Sequence, residues 1–424
     1  MRKPLQYQAW ISGVMVRAAS VALTATLLLS TTSAWAQTFT VLYTFNGSPD
    51  GANPRAGLIL DSRGTLYGTT VGGGVTTCQF TGCGVAFKLD ATGKETVLHR
   101  FRQGSLGGGT KPLGRLVRDA MGNLYGSASA GGYDHCADGC GAVFKLDKTG
   151  KETVLLSFRS EGAGQGPQGL IRDSTGNLYG NAGAGGLCKT CGLVFKLSST
   201  NNYSVLHKFK GASDGANPIG ALVRDPEGRL YGATVGGGTS GCGGSGCGTV
   251  FKVNQKQKHT MLYKFAGGTD GAFPFAGVVR DSAGNLYGTT EAGGVPGCSG
   301  FGCGTVFKLD PTGKETVLYT FTGGTDGGLP LAGVVRDAAG NLYGTTYTGG
   351  DATQCAVGCG VVFKLDANGT ETILHAFTGG ADGANPAADL LLDSSGTLYG
   401  TAYQGGIGCA GSGCGVVFKI TSNQ

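Results

Sequence analysis

Tryptophan is nearly absent from this chain: Trp10 and Trp35 are the only two, and both lie in the first 36 residues. Histidine (5) and methionine (4) are scarce, and only 14% of the residues are charged. With so few imidazoles, neither a His-Asp-Ser set nor a convergent metal triad can be read along the chain. No Lys/Arg run forms a polybasic patch. Three of the basic residues behind the formal charge of +6 (Arg2, Lys3 and Arg17) sit near the amino terminus, so nucleic acid is not an expected partner. Apolar runs are short as well. The uncharged stretch from Ala18 to Leu29 falls short of the ~20 residues that a spanning helix needs.

That stretch follows the basic residues and ends in Ser-Thr-Thr-Ser-Ala-Trp-Ala, where Ala34 and Ala36 fit a small-residue cleavage site. Residues 1–36 therefore read as a secretory signal peptide removed before Gln37. The remainder, 37–424, is expected as one domain outside the cytoplasm, in the periplasm or the medium, with no membrane span and as a monomer. What is abundant is glycine, with 83 residues. No Gly-X-Y period accompanies it, which excludes collagen, and 40% hydrophobic residues exclude a polar disordered linker.

Leu-Tyr-Gly recurs seven times, at Tyr67, Tyr125, Tyr179, Tyr231, Tyr287, Tyr343 and Tyr399. Each copy sits in the same order of four apolar segments. One unit runs Ala276-Gly-Val-Val-Arg-Asp281, Asn285-Leu-Tyr-Gly-Thr-Thr290, Gly304-Thr-Val-Phe-Lys-Leu-Asp310 and Glu315-Thr-Val-Leu-Tyr-Thr-Phe321. Segments of five to seven residues, rich in Val, Thr, Tyr and Phe and bounded by Gly, Asp or Pro, read as strands. Two joints are tight Gly-containing hairpin turns; the other two are long, one Gly-rich with two cysteines and one of the form Asp270-Gly-Ala-Phe-Pro274. Seven units of four antiparallel strands give an all-β, seven-bladed β-propeller. The segment Phe39 to Phe45 has the pattern of a fourth strand, and Val416 to Ile420 that of a third. Pairing them would close the ring and leave no open edge. In such a blade both tight turns lie on one face and both long loops on the other, and recognition is expected on the long-loop face.

The 14 cysteines fall two to a unit, always within one loop: Cys78 with Cys83, Cys136 with Cys140, Cys188 with Cys191, Cys242 with Cys247, Cys298 with Cys303, Cys355 with Cys359, and Cys409 with Cys414. In an exported chain this reads as one local disulfide per blade. Zinc would need two pairs to converge, whereas these spacers vary and the pairs sit on separate blades.

A residue present in all seven units serves the blade, so a single site must use positions that break the pattern. The recurrent Asp61, Asp119, Asp173, Asp225, Asp281, Asp337 and Asp393 read as turn residues. The third-strand lysines (Lys88, Lys145, Lys196, Lys252, Lys308, Lys364 and Lys419) read as partners of those or neighbouring carboxylates. Asp50, Asp214, Asp270, Asp326 and Asp382 precede Gly in five of the long loops. Turn chemistry explains them; calcium is the alternative, though each loop brings one carboxylate and no cofactor is otherwise expected. His99, His207 and His375 stand where other units have Tyr43, Tyr263 and Tyr319, and are expected on the outer-strand surface, with His259 at the start of such a strand. Pattern-breaking loop residues that could contact a ligand are Glu291, Tyr347 and Tyr403, together with Tyr133 and His135. Exposed aromatic rings offer flat surfaces to sugars or peptides.

Leu-Tyr-Gly-Thr-Thr, the Gly-Gly-Gly loop, Gly-Cys-Gly-x-Val-Phe-Lys-Leu and Asp-Gly-Ala-Asn-Pro together resemble the GloVer tandem repeat of bacterial exported choice-of-anchor proteins. The resemblance implies export and a repeat fold, with no established activity. Members often carry a carboxy-terminal anchor; only four residues follow Ile420 here, which puts the surface tethering that the resemblance implies in doubt. The lack of Trp after residue 36 sets the chain apart from WD40 and kelch blades and from quinone sites that stack on Trp. The leading functional reading is a binding module for a glycan or protein ligand. The alternatives are a propeller enzyme of lactonase, lyase or hydrolase type with a central-channel metal, and a structural envelope protein.

Overall fold

The computed structural model describes residues 37–422, except 76–77, 79–81, 103–107, 133–135, 137–138, 160, 354 and 410. The leader, Tyr133 and His135 therefore lie outside the described residues. Seven antiparallel sheets follow one another as the blades of a propeller. The last sheet runs, from rim to axis, Gln37–Thr44, Val416–Ser422, Leu398–Ala402, Leu391–Leu392, so the first strand supplies the outer edge of the seventh blade. Phe39 stands opposite Ile420 and Val41 opposite Phe418 in that closure. No helix among the described residues is long and apolar enough to cross a membrane.

The Leu-Tyr-Gly tripeptide is explained by the strand beside it. Gly288 pairs with Phe307, and a Cβ on Gly288 would stand 2.7 Å from Cζ of that ring. The missing side chain is the space into which the phenylalanine lies. An edge-on ring from the previous blade covers the other side: Phe265 meets Phe307 with centroids 5.2 Å apart. The same contact recurs at every junction, from Phe45–Phe87 through Phe377–Phe418. Each hydrophobic core is thus shared between neighbouring blades.

Tyr287 donates its hydroxyl to Asp281 Oδ2 at 3.1 Å, while Asp281 Oδ1 accepts the Asn285 N–H at 2.8 Å, pinning the inner hairpin to the second strand. All seven tyrosines make this bond to the turn aspartate. Three of the third-strand lysines meet a ring where a carboxylate partner was expected, while the Asp366 carboxyl is held down by the Thr370 N–H first and by the neighbouring Lys364 with it. Lys145, Lys196 and Lys308 lie over the ring of the Leu-Tyr-Gly tyrosine, and an Arg from the next blade covers the same ring, as Arg336 does on Tyr287 at 5.5 Å. A flat cation–π contact suits a half-buried amphipathic ring better than an ion pair that would strip both charges of water.

The innermost segments depart from the expected length. In five blades they are two residues long: Ile59–Leu60, Val117–Arg118, Val279–Arg280, Val335–Arg336 and Leu391–Leu392. Ahead of the short segment Ala272 makes an isolated bridge with Ala292 and the pairing then breaks before resuming at Val279, whereas in blades three and four Pro167 and Pro218 lie within longer paired inner strands. Every outer strand carries a bulge at a leucine, as at Leu318 between the paired residues Val317 and Tyr319, which re-aims the residue after it.

All seven disulfides close within their own loops. Gly304, which follows Cys303, has φ +94°. Its N–H donates to Gly293 O and its carbonyl accepts the Phe321 N–H, so the cysteine loop is tied to the end of the outer strand.

Candidate functional site

The seven inner segments meet at the axis, and their fourth residue before the turn aspartate faces inward. Around the ring these are Gly57, Arg115, Gly169, Ala221, Gly277, Gly333 and Asp389. Five are small for a steric reason: a Cβ on Gly169 would lie 3.0 Å from Ala221 Cα, and one on Gly57 would lie 3.1 Å from Asp389 O. The two charged residues break the pattern in blades two and seven. Here the channel narrows between a cavity of about 760 Å³ on the tight-turn side and one of about 330 Å³ on the long-loop side, and both reach Arg115 and Asp389. Asp389 Oδ1 accepts the Gly333 N–H at 2.7 Å. Burial pulls the Arg115 guanidinium below its usual range, and Asp389 only partly offsets this. Residue-by-residue sequence reading missed this pair; alignment of the seven units at that one column exposes it.

The long-loop cavity opens between Arg55, Gln168, Asn217 and Phe275. Tyr347 and Tyr403 follow the second strands of blades six and seven. Their carbonyls accept Nδ2 of Asn385 at 2.8 Å and Nδ2 of Asn53 at 3.0 Å, bonds that fasten each strand end to the next blade. Both rings are half-buried. Burial first, and then Tyr403, push the Tyr347 hydroxyl up, while Arg55 opposes them. Glu291 holds the equivalent place in blade five, and burial raises its carboxyl. The three pattern-breaking residues therefore occupy equivalent places on consecutive blades.

The Asp-Gly loops sit at the rim. Each aspartate accepts hydrogen bonds from the outer-strand residue seven positions before it and from the backbone N–H four positions before it: Asp270 from Tyr263 at 2.9 Å and from the Ala266 N–H at 2.8 Å. Tyr43 with Asp50 and Tyr319 with Asp326 repeat this, and His207–Asp214 and His375–Asp382 replace tyrosine by histidine. The outer-strand glutamate of the following blade joins each tyrosine pair. Burial first, then the neighbouring Asp50, Asp270 or Asp326, push Glu95, Glu315 and Glu371 up to about 7. A carboxyl raised on folding stabilises the fold fully below its unfolded value, and that contribution is lost as pH rises through the folded value. Glu315→Gln and Glu371→Gln, which mimic the protonated form, should match the parent near pH 4. At pH 8 they should be more stable by about 1 kcal/mol each after solvent screening. Thermal melts across that range check this; a gain independent of pH would refute the assignment.

The histidines are not the separate surface residues expected from the sequence. His99 meets Glu152 at 3.4 Å, and the side chains of His99, His207 and His375 are only 15–20% exposed. His207 stacks on His259 of the next blade, with centroids 4.1 Å apart and rings 10° from parallel. Burial lowers His207 against the opposing pull of Asp214, and burial together with His207 brings His259 down to about 4. The signal for this cluster was present but needed the junction geometry: His259 stands where other units have Glu, and that place faces the previous blade.

The profile of the Gloeobacter/Verrucomicrobia repeat matches residues 27–160, 133–358 and 298–424. No curated protein matches the chain in sequence. Among solved structures, virginiamycin B lyase from Staphylococcus aureus is similar at 12% identity over 91% of this chain and 99% of that one, with a TM-score of 0.58. The extracellular domain of BT4673 from B. thetaiotaomicron is similar at 10% identity, covering 91% of this chain and 40% of that one, with a TM-score of 0.57. At these identities the likeness concerns the propeller fold.

Proposed function

The chain belongs to the Gloeobacter/Verrucomicrobia repeat family, and from that premise we propose that it is an exported propeller that binds the end of a carboxylate-bearing glycan at the long-loop mouth of its axis. The observation that carries this reading is the inward column, small in five blades and charged only at Arg115 and Asp389. A scaffold position that the repeat keeps small acquires charge only where something polar is to be met. Arg115 and Arg55 supply donors for a carboxylate, and a guanidinium grips one through two parallel bonds. Asp389 can accept from sugar hydroxyls. Tyr347 and Tyr403 do not line that cavity, but Tyr347 stands within electrostatic reach of Arg55 and of Tyr403, so their rings can extend the contact beyond it. A cavity of about 330 Å³ takes a chain end rather than a long segment. Seven disulfides suit an oxidising compartment, in keeping with a cleaved leader over residues 1–36. The runner-up, a channel-metal enzyme, needs several acidic and His ligands near the axis; neither axial cavity is lined by a described imidazole, and of the carboxylates there Asp61 and Asp119 already accept from turn N–H groups and tyrosines.

The test is a glycan array followed by calorimetry on the chain from Gln37. Uronic-acid glycans should bind. The double variant Arg115→Gly/Asp389→Gly, which restores the residue of neighbouring blades, should weaken binding at least tenfold, about 1.4 kcal/mol, while loss of the Asp389 contact to the Gly333 N–H lowers Tm by only a few degrees. Tyr403→Ala and Tyr347→Ala should weaken it severalfold. Equal affinity in the double variant would remove the axis from the reading, and preference for peptides with a free carboxyl end would move it to peptide recognition.

A further inference from the structure

We propose that His207, Asp214 and His259 form a binding site for a divalent metal of the zinc class at the rim between the third and fourth blades. Their ligating atoms all lie within 4.8 Å of one another, and they are the one such group among the described residues. His207 comes from the strand Tyr203–Lys208 and His259 from His259–Lys264, so the site bridges two blades. His207 Nε2 is 3.1 Å from Asp214 Oδ2. His259 Nε2 is buried and has no hydrogen-bond partner. A buried imidazole nitrogen left unsatisfied costs free energy that a metal ion would recover.

Comparison with the other junctions sharpens the point. The same three places hold Tyr263, Asp270 and Glu315 in one, Tyr319, Asp326 and Glu371 in another, and His375, Asp382 and Phe39 in a third. In those the aspartate is met by a phenol or a single imidazole. Two imidazoles and a carboxylate coincide only here among the described junctions, and two histidines with one carboxylate are a zinc-type set with a fourth position open to water. Phe209 packs edge-on against both imidazoles, at 4.8 and 5.7 Å, and gives the site a dry wall. Ligand atoms around tetrahedral zinc lie roughly 3.3 Å apart, so binding would draw the set together by side-chain rotation. Lys210 is the cationic group that opposes a metal here. The site is remote from the axial cavity and does not depend on the ligand read there.

The experiment uses the disulfide-bonded chain from Gln37, stripped with chelator and titrated with zinc chloride by calorimetry. One ion should bind per chain with a micromolar or tighter Kd, and saturating zinc should raise Tm by about 2–5 °C. Cobalt(II) should give the visible absorption of a four-coordinate nitrogen–oxygen site. His207→Tyr and His259→Tyr place residues that the repeat itself uses at these positions, as in Tyr263 and Tyr203, so both should fold. Each should lose zinc affinity at least 100-fold while keeping its Tm in chelator within a few degrees of the parent. No saturable binding to the stripped parent, or the same affinity in both variants, would overturn the proposal.

Discussion

Phe307→Ala should lower the unfolding free energy by about 3–5 kcal/mol, the range for removing a fully buried aromatic ring. The ring is inaccessible to solvent, lies in the space left by Gly288, and takes an edge contact from Phe265 of the previous blade. Its loss opens a cavity between two blades rather than within one. The contact also predicts an unusual coupling. Gly288→Ala alone should be destabilising, because its Cβ would stand 2.7 Å from the Phe307 ring. In the Phe307→Ala background that methyl has room, so the second substitution should cost little or nothing. A urea-unfolding double-mutant cycle should therefore be non-additive by at least 1 kcal/mol in the direction of mutual relief. Simple additivity would mean that the ring does not occupy the glycine gap.

Deleting the strand Gln37–Thr44 together with Phe45 and Asn46 should be the more severe change. Phe45 is fully buried, Phe39 stacks on His375 with centroids 3.6 Å apart, and the strand is the outer partner of Val416–Ser422 along its whole length. The loss includes at least one ring worth about 3–5 kcal/mol, against the ~5–15 kcal/mol that holds a typical domain folded. It also leaves Val416–Ser422 as an open edge with unpaired N–H and C=O groups. A chain starting at residue 47 should be aggregated or should melt far below the parent. A synthetic peptide covering 37–46, added during refolding, should restore the native melt. An unchanged Tm in the truncated chain would show that the closure contributes little.

The blade count, strand order, turn types, disulfide pairing and closure were legible because each is written locally and repeated seven times. The tyrosine of Leu-Tyr-Gly, the glycine beside it and the phenylalanine of Val-Phe-Lys-Leu form one packing unit, and three residues in fixed order announce it. Features that depend on contact between units were not legible. Lys145, Lys196 and Lys308 were assigned to carboxylates because a sequence does not show that a neighbouring ring is nearer. His207 and His259 are 52 positions apart and look unrelated until the junction stacks them. Arg115 and Asp389 occupy the same column in different units, and their meaning depends on that column facing the axis. The bulge at the recurrent leucine turns the next residue toward the rim, a redirection that strict strand alternation does not predict.

The clasp at the seventh blade also dictates a schedule. Phe39 opens the folded part, yet the neighbours it packs against, Phe377 and Phe418, lie more than 300 positions later in the sequence. Blades one to six can assemble in turn from contacts between adjacent segments, while the opening strand waits unpaired until nearly every residue has followed it. Loops this long slow the finishing step more than they weaken the finished ring. The vulnerable interval for this chain is therefore the last moment of its maturation, when a ring six-sevenths built still has both lips exposed.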